Sequence, residues 1–175
     1  KDALSATGSP GVTKNYPHTP GIDAVGHVQE SSDSAFKEGD VVIVTGYDLG
    51  MNTAGGFGQY IRVPAHWVIK LPNGLNEVEA MSLGTAGLTA GLSIQALEKY
   101  SCTTGFEGSK SIVTGSTGGV GSIAVMLLSK LGSEVTAVTG KNTQKSFLEN
   151  LGASEVISRE ELSEMTRLPM GKPIW

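Results

Sequence analysis

The sequence has one cysteine, three histidines and few aromatic residues, and each scarcity closes a class of function. The single thiol, Cys102, can form neither an intramolecular disulfide nor a cysteine-rich zinc cluster. It fits a reducing, cytoplasmic setting, where an ordinary free thiol is the plain reading. No apolar run approaches the roughly 20 residues needed to cross a bilayer, and the first residues lack the layout of a signal peptide. There is no block of like charge, and a net charge of −4 argues mildly against a nucleic-acid binder. Initiator Met is missing too: the chain opens on Lys1, and its last residues, "GKPIW", read as the interior of something longer. A piece of a larger protein is the expectation.

What is present suits a folded chain. With 39% hydrophobic and 17% charged residues, disorder is excluded, and 175 residues can bury a real core in one domain or two small ones. The chain changes character near residue 100. Before it, short alternating runs punctuated by Gly and Pro ("DAVGHVQE", "DVVIVTG", "FGQYIRVP", "HWVIKLP") predict strands of an antiparallel barrel or sandwich. Gly55-Gly56 predicts a turn or bulge. "NEVEAMSLGTAGLTAGLSIQALEKY" then carries apolar residues at helical spacing, with Glu77 and Glu79 where a first turn favours acids. Gly84 and Gly87 predict two helical pieces joined by a bend at "GTAG", and "SCTTGFEG" reads as a loop.

From Lys110 the rhythm is β-α-β-α-β-α: strand "SIVTG", helix 118–131, strand "SEVTAVTG", helix 141–151, strand "SEVI", helix 159–165. That order predicts parallel strands with right-handed crossovers, the first half of a doubly wound α/β sheet. Between the first strand and its helix lie four glycines, in "TGSTGGVG". Aligned to G-x-G-x-x-G, the positions are Ser116, Gly118 and Gly121. A glycine at 118 lets the backbone approach a pyrophosphate, one at 121 lets helix pack close on strand, and the N–H groups of the helix head face an anion. A tight strand-to-helix turn of an unrelated α/β domain is the plainer alternative. The letters also fit T-G-x-x-x-G-x-G of short-chain dehydrogenases, but that motif belongs near an N-terminus and calls for a Tyr-x-x-x-Lys pair that none of the four tyrosines provides. A phosphate-binding loop of the Walker type fails because no Lys follows Gly121.

An NAD site calls for an Asp or Glu at the end of the second strand, to accept from the ribose 2′-hydroxyl. Here that end reads Thr139, Gly140, Lys141, and the only nearby acid, Glu134, sits at the other end. A hydroxyl, a bare backbone and an ammonium suit a 2′-phosphate, so NADP(H) is the expected cofactor. Lys141 can also be a simple solvated first-turn residue. Arg159, after the third strand, is a further candidate for the phosphate or the adenine edge, with a surface ion pair to Glu161 as its alternative.

A β-rich part before a cofactor fold is the order of the medium-chain dehydrogenase/reductase superfamily, and the residues resemble it in detail. "TPGIDAVGHV" (19–28) resembles the segment that reads Pro-Gly-His-Glu in alcohol dehydrogenases of that superfamily, whose His binds catalytic zinc. Ile22 and Asp23 occupy that pair here, and Ile cannot ligate a metal. With the four-Cys zinc lobe absent too, the chain resembles the zinc-free branch, with no metal site. "FKEGDVVIVTGYDLG", "GGFGQYIRVPAHWVIKLP", "AMSLGTAGLTAGLSIQALE" and "AVTGK…LENLGASEVISREEL", in order around the glycine turn, are similar to the quinone-oxidoreductase-like subfamily that includes NADPH-dependent acryloyl-CoA reductases.

The resemblance implies part of a GroES-like β-rich domain over 1–76, connecting helices over 77–109 and a partial NADP-binding Rossmann domain over 110–175. It implies that Thr117, Gly118, Gly119, Val120 and Gly121 form the pyrophosphate turn, that Thr139, Gly140, Lys141 and Arg159 read the 2′-phosphate, and that Thr85 approaches the nicotinamide ribose. For Thr85 the alternative is a helix-breaking residue capping its own backbone. "KDAL" resembles the continuation of a segment Asn-Tyr-Lys-Asp, whose Tyr would precede Lys1. The implied chemistry is hydride transfer from NADPH to an activated alkene or a quinone, with fixed hydrogen-bond donors meeting the charge that develops on the acceptor oxygen. The implied assembly is a homodimer acting on a small molecule, with neither nucleic acid nor membrane as partner. No catalytic acid is named: His18, His27 and His66 fall in strands or loops of the β-rich part. A protein that binds NADPH without turnover remains the alternative from another class.

Overall fold

The computed structural model describes residues 1–100 and 105–166, so Cys102 lies outside the described residues. The chain divides into two compact units, Lys1–Thr85 and a second beginning at Ala86.

The first unit holds α1 (Asp2–Ala6), β1 (Asp23–His27), β2 (Val41–Thr45) and β3 (Val68–Lys70). The strands form one antiparallel sheet in the order β1-β2-β3, with Val25 opposite Ile43 and Ile43 opposite Ile69. Three of the four expected runs supply these strands. The fourth, "FGQYIRVP", is not a strand. Its leading end is tied instead to the turn before β1: the N–H groups of Gly55, Gly56 and Phe57 donate to the carbonyls of Thr19, Gly21 and Pro20 at 2.7, 2.8 and 3.0 Å. Pro64 removes a ladder donor at its other end. Phe57 and Tyr60 are left 68% and 71% exposed, so the alternation of this run has no buried face to satisfy. Gly55-Gly56 is likewise more than a turn. A Cβ on Gly55 would stand 2.5 Å from Gly21 O, and one on Gly56 would overlap Asp23 O, so two backbones cross here at glycine distance.

The helix α2 (Glu77–Tyr100) opens with a capping box: Asn76 Oδ1 accepts from Glu79 N–H, and Glu79 Oε2 accepts from Asn76 N–H, both at 2.9 Å. It is broken at Gly84, whose φ of 47° and ψ of −149° lie outside helical space, at the first residue of the expected bend.

The second unit carries β4 (Lys110–Thr114), α3 (Gly119–Lys130), β5 (Glu134–Val138), α4 (Lys145–Asn150), β6 (Glu155–Ile157) and α5 (Arg159–Thr166). Its strands are parallel in the order β4-β5-β6, with Val113 opposite Ala137 and Ala137 opposite Val156. The expected helix over 141–151 is shorter, because a 3-10 turn takes Asn142–Gln144 before α4 begins. Val125 and Leu128 from α3, Val135 and Ala137 from β5, Leu148 from α4 and Ile94 from the later half of α2 close the core. At about 25 cal/mol per Å² of apolar surface removed from water, such side chains dominate the stability of this layer. Among the described residues no helix is long and apolar enough to cross a membrane.

Two details fix the turn between β4 and α3. The left-handed backbone falls on Gly115 (φ 64°), one residue before the fingerprint begins, so Ser is tolerated at 116. Ser116 is fully buried and its hydroxyl extends the sheet, donating to Val113 O at 2.6 Å and accepting from Val138 N–H at 3.0 Å. Gly121 presses the helix onto the turn: a Cβ there would overlap Gly115 O and stand 2.8 Å from Ser116 Cα.

Ser116→Ala is therefore expected to cost about 1–3 kcal/mol, the penalty of stranding a buried donor, read as a lower urea midpoint at unchanged m-value. Gly121→Ala is expected to destabilise more than Gly119→Ala in thermal melts. At 119 the new Cβ meets only the Ala86 side chain, 3.2 Å away, whereas at 121 it meets backbone.

Candidate nucleotide site

The head of α3 is the expected anion site. Gly118 is its N-cap and no side chain caps it. The Gly118 N–H turns inward to Gly115 O at 2.9 Å, and the first helical bond runs from Ser122 N–H to Gly118 O at 2.9 Å. The N–H groups of Gly119, Val120 and Gly121 lie ahead of that bond, at the positive end of the helix dipole. Gly119 and Val120 are exposed, Thr117 is half-buried beside them, and Gly121 is buried by its packing role. Gly118 itself is exposed bare backbone, and its own amide is taken by Gly115 O.

At the end of β5, the residues expected to read a phosphate divide by burial. Thr139 is buried, its N–H donates to Ile157 O at 3.0 Å, and its hydroxyl accepts from Lys141 N–H at 3.0 Å. It shapes the turn that presents Gly140 and Lys141, both exposed. Arg159, at the start of α5, lies over that turn: its Nε and Cζ are 3.5 Å from where a Cβ on Gly140 would stand. The alternative ion pair with Glu161 is not formed. Glu161 belongs to a capping box with Ser158, its carboxylate accepting from Ser158 N–H at 2.6 Å and its N–H donating to Ser158 Oγ at 3.0 Å. The Ser158 amide holds the Glu161 carboxyl below its ordinary value. Among the described residues neither Arg159 nor Lys141 has an ion-pair partner. The Arg159 guanidinium thus lies over the bare backbone of Gly140, with the exposed Lys141 next in sequence.

The first unit holds the other candidates. Thr85 does not simply cap its own helix. Its hydroxyl donates to Asp23 Oδ1 at 2.8 Å, across 62 residues of sequence. Gly84 lies against the same carboxylate, where a Cβ would come 2.8 Å from Asp23 Oδ2. Asp2, in α1, is a residue the sequence reasoning missed: its Oδ1 accepts from Gly21 N–H at 3.1 Å and Ile22 N–H at 3.0 Å, steadying the turn that leads into Asp23. Nothing in the local pattern signals this, because an acid opening a five-residue helix finds its partners 19 and 20 residues away.

The histidines make contacts of their own. His18 Nε2 is 2.9 Å from Gly50 O, His27 is exposed at the end of β1, and His66 is exposed with its carbonyl accepting from the Tyr47 hydroxyl. Among the described residues no group of three or more His, Cys, Asp or Glu side chains could hold a metal ion.

Comparison with known proteins bears on the family and the fold. The family model of the alcohol dehydrogenase GroES-like domain matches residues 1–73. The acrylyl-CoA reductase AcuI of Ruegeria pomeroyi is 43% identical over 175 residues, which is 100% of this chain and 52% of that protein. The oxidoreductase YhdH of Salmonella enterica, solved in complex with NADP, superposes with a TM-score of 0.89 at 40% identity, over 99% of this chain and 52% of that one. YhfP of Bacillus subtilis, solved with NAD bound, gives 0.89 at 45% identity, again over 99% of this chain and 52% of that one. The chain spans about half the length of the relatives it matches. Its antiparallel sheet, its parallel Rossmann-type sheet and these relatives together show that it belongs to the medium-chain dehydrogenase/reductase superfamily.

Proposed function

We propose that the intact protein is an NADPH-dependent reductase, working without zinc, that delivers hydride to the activated alkene of an enoyl thioester such as acryloyl-CoA, or to a quinone. The observation that carries the cofactor choice is the Arg159 guanidinium over Gly140 at the end of β5, where the sequence reads Thr139, Gly140, Lys141 with no acid and Glu161 is engaged in its own capping box. An NAD site would need a carboxylate where this chain offers only positive charge. The Salmonella relative solved with NADP supports the reading, and the Bacillus relative solved with NAD makes the choice one to test.

In this reading the Gly119 and Val120 amides hold the pyrophosphate, Arg159 and Lys141 hold the 2′-phosphate, and Thr85 faces the nicotinamide ribose. The bound nucleotide supplies the hydride. The chain's own contribution is to fix that nucleotide against the acceptor, which replaces a bimolecular encounter by an oriented one. Ile22 stands where a zinc ligand would be needed, so polarisation of the acceptor falls to hydrogen-bond donors. A reducing cytoplasm is the setting that suits a free thiol and an NADPH supply.

Arg159→Leu in the intact protein is expected to weaken NADPH binding by about tenfold or more, the scale of a lost charge-assisted hydrogen bond, and to change NADH binding less than twofold. Nucleotide fluorescence titrations read both. Equal weakening of the two nucleotides would overturn the assignment of Arg159. NADPH consumption with acryloyl-CoA, and separately with a quinone, tests the reaction. Tight binding without turnover of either would make the protein a nucleotide binder instead.

A further inference from the structure

Arg159 opens a helix that has little reason of its own to form. α5 has eight residues, fewer than the roughly 12–15 at which a helix begins to hold its shape alone. From Arg159 to Glu164 every side chain is exposed except Leu162, which is half-buried. Packing contributes little, so the first turn rests on its cap. Ser158 and Glu161 supply that cap from both sides: Glu161 Oε2 accepts from Ser158 N–H at 2.6 Å, and Ser158 Oγ accepts from Glu161 N–H at 3.0 Å. Arg159 lies between the two partners, at the first helical position. We infer that Glu161 is a positioning residue for Arg159: its capping bond holds in place the residue that meets the adenosine 2′-phosphate, and so sets the preference for NADPH over NADH. The inference rests on the proposed nucleotide reading and deepens it by a residue that acts only through another.

Two anchors bracket Arg159. Before it, Ile157 O accepts from Thr139 N–H at 3.0 Å, which ties the end of β6 to the buried residue just ahead of Gly140. After it stands the capping box, backed by a first helical bond from Leu162 N–H to Ser158 O at 3.2 Å. Among the described residues no ion pair holds the guanidinium itself, so its place over Gly140 follows from where the backbone puts it. Removing the cap leaves Arg159 tethered on one side only. Residues two apart on a helix do not face each other, so Glu161 reaches Arg159 through the backbone and not through an ion pair. Its charge alone would act the other way, because an acid in the same turn opposes a phosphate. Cap and charge therefore predict opposite signs, and Gln, which accepts without the charge, separates them.

The test is a mutant cycle read with two nucleotides. The intact protein and its Glu161→Ala, Glu161→Gln, Ser158→Ala and Arg159→Leu variants, with Glu161→Ala also combined with Arg159→Leu, are titrated with NADPH and NADH by nucleotide fluorescence. Glu161→Ala and Ser158→Ala are each expected to weaken NADPH binding about three- to tenfold, the scale of a lost helix cap, with NADH changed less than about twofold. Glu161→Gln, whose amide oxygen still accepts from Ser158 N–H, is expected to keep at least the wild-type preference. Without Arg159, Glu161→Ala is expected to change NADPH binding less than about twofold, because the residue it positions is gone. An unchanged or increased NADPH affinity in Glu161→Ala, an equal loss of both nucleotides, or a full effect persisting in the Arg159→Leu background overturns the inference and leaves the nucleotide reading intact. A wild type with no preference for NADPH overturns the reading of Arg159 and the inference with it. If Glu161→Ala does not fold, Ser158→Ala and Glu161→Gln decide by the same criteria.

Discussion

The second unit depends on how closely α3 can approach the end of β4. A helix head offers unpaired N–H groups only if nothing local consumes them, and it can face a ligand only if it is seated firmly on the sheet. Gly121 provides the seat, because no side chain fits between it and Gly115 O. Ser116 provides the lock, since its buried hydroxyl takes the Val138 N–H and gives its own proton to Val113 O, joining the ends of two parallel strands through one side chain. With seat and lock in place, the helix begins without a side-chain cap and the amides of Gly119 and Val120 stay uncommitted. An Asp or Ser cap would have stabilised the helix by about 1 kcal/mol and filled the cradle. The missing cap is what leaves these amides open for the anion of the proposed reading.

The end of β5 follows the same logic with side chains. The Ser158/Glu161 capping box starts α5, and in doing so it occupies the acid that could have neutralised Arg159. Thr139 turns its hydroxyl to Lys141 N–H, which shapes the backbone so that Gly140 presents an open face under the guanidinium. Local polar groups are satisfied among themselves, and Arg159 is left over Gly140 without an ion-pair partner among the described residues. In the proposed reading its charge meets a phosphate.

Much of this was legible because it is local. The strand-turn-helix rhythm from Lys110 to Ile157, the glycine turn and the lack of an acid after β5 all reside in short windows whose periodicity and composition carry the information. The bend in α2 was legible for the same reason, since Gly84 is the residue that can adopt a φ of 47°. Where reading failed, the cause was tertiary. "FGQYIRVP" alternates like a strand, yet the glycines at its start are tied to the turn before β1, and among the described residues no strand lies beside it. Gly55-Gly56 looked like punctuation and is a crossing of backbones. The Asp2 cradle was invisible because hydrogen bonds to distant amides leave no sequence period.

Position 23 ties the first strand to the bend in α2. In the resemblance to alcohol dehydrogenases, the pair at 22 and 23 corresponds to the segment whose histidine binds zinc; here the first residue has become apolar and the second remains a carboxylate. A half-buried carboxylate needs hydrogen-bond donors. Asp23 finds one in Thr85, and Gly84 keeps the space beside its second oxygen free of side chain. The helix break that accommodates the carboxylate is thus the same break that brings Thr85 to it. Restoring a metal ligand at 22 alone would leave Asp23 engaged with Thr85, so the bend in α2 and the carboxylate of β1 have to be understood as one unit, each stabilising the conformation the other requires.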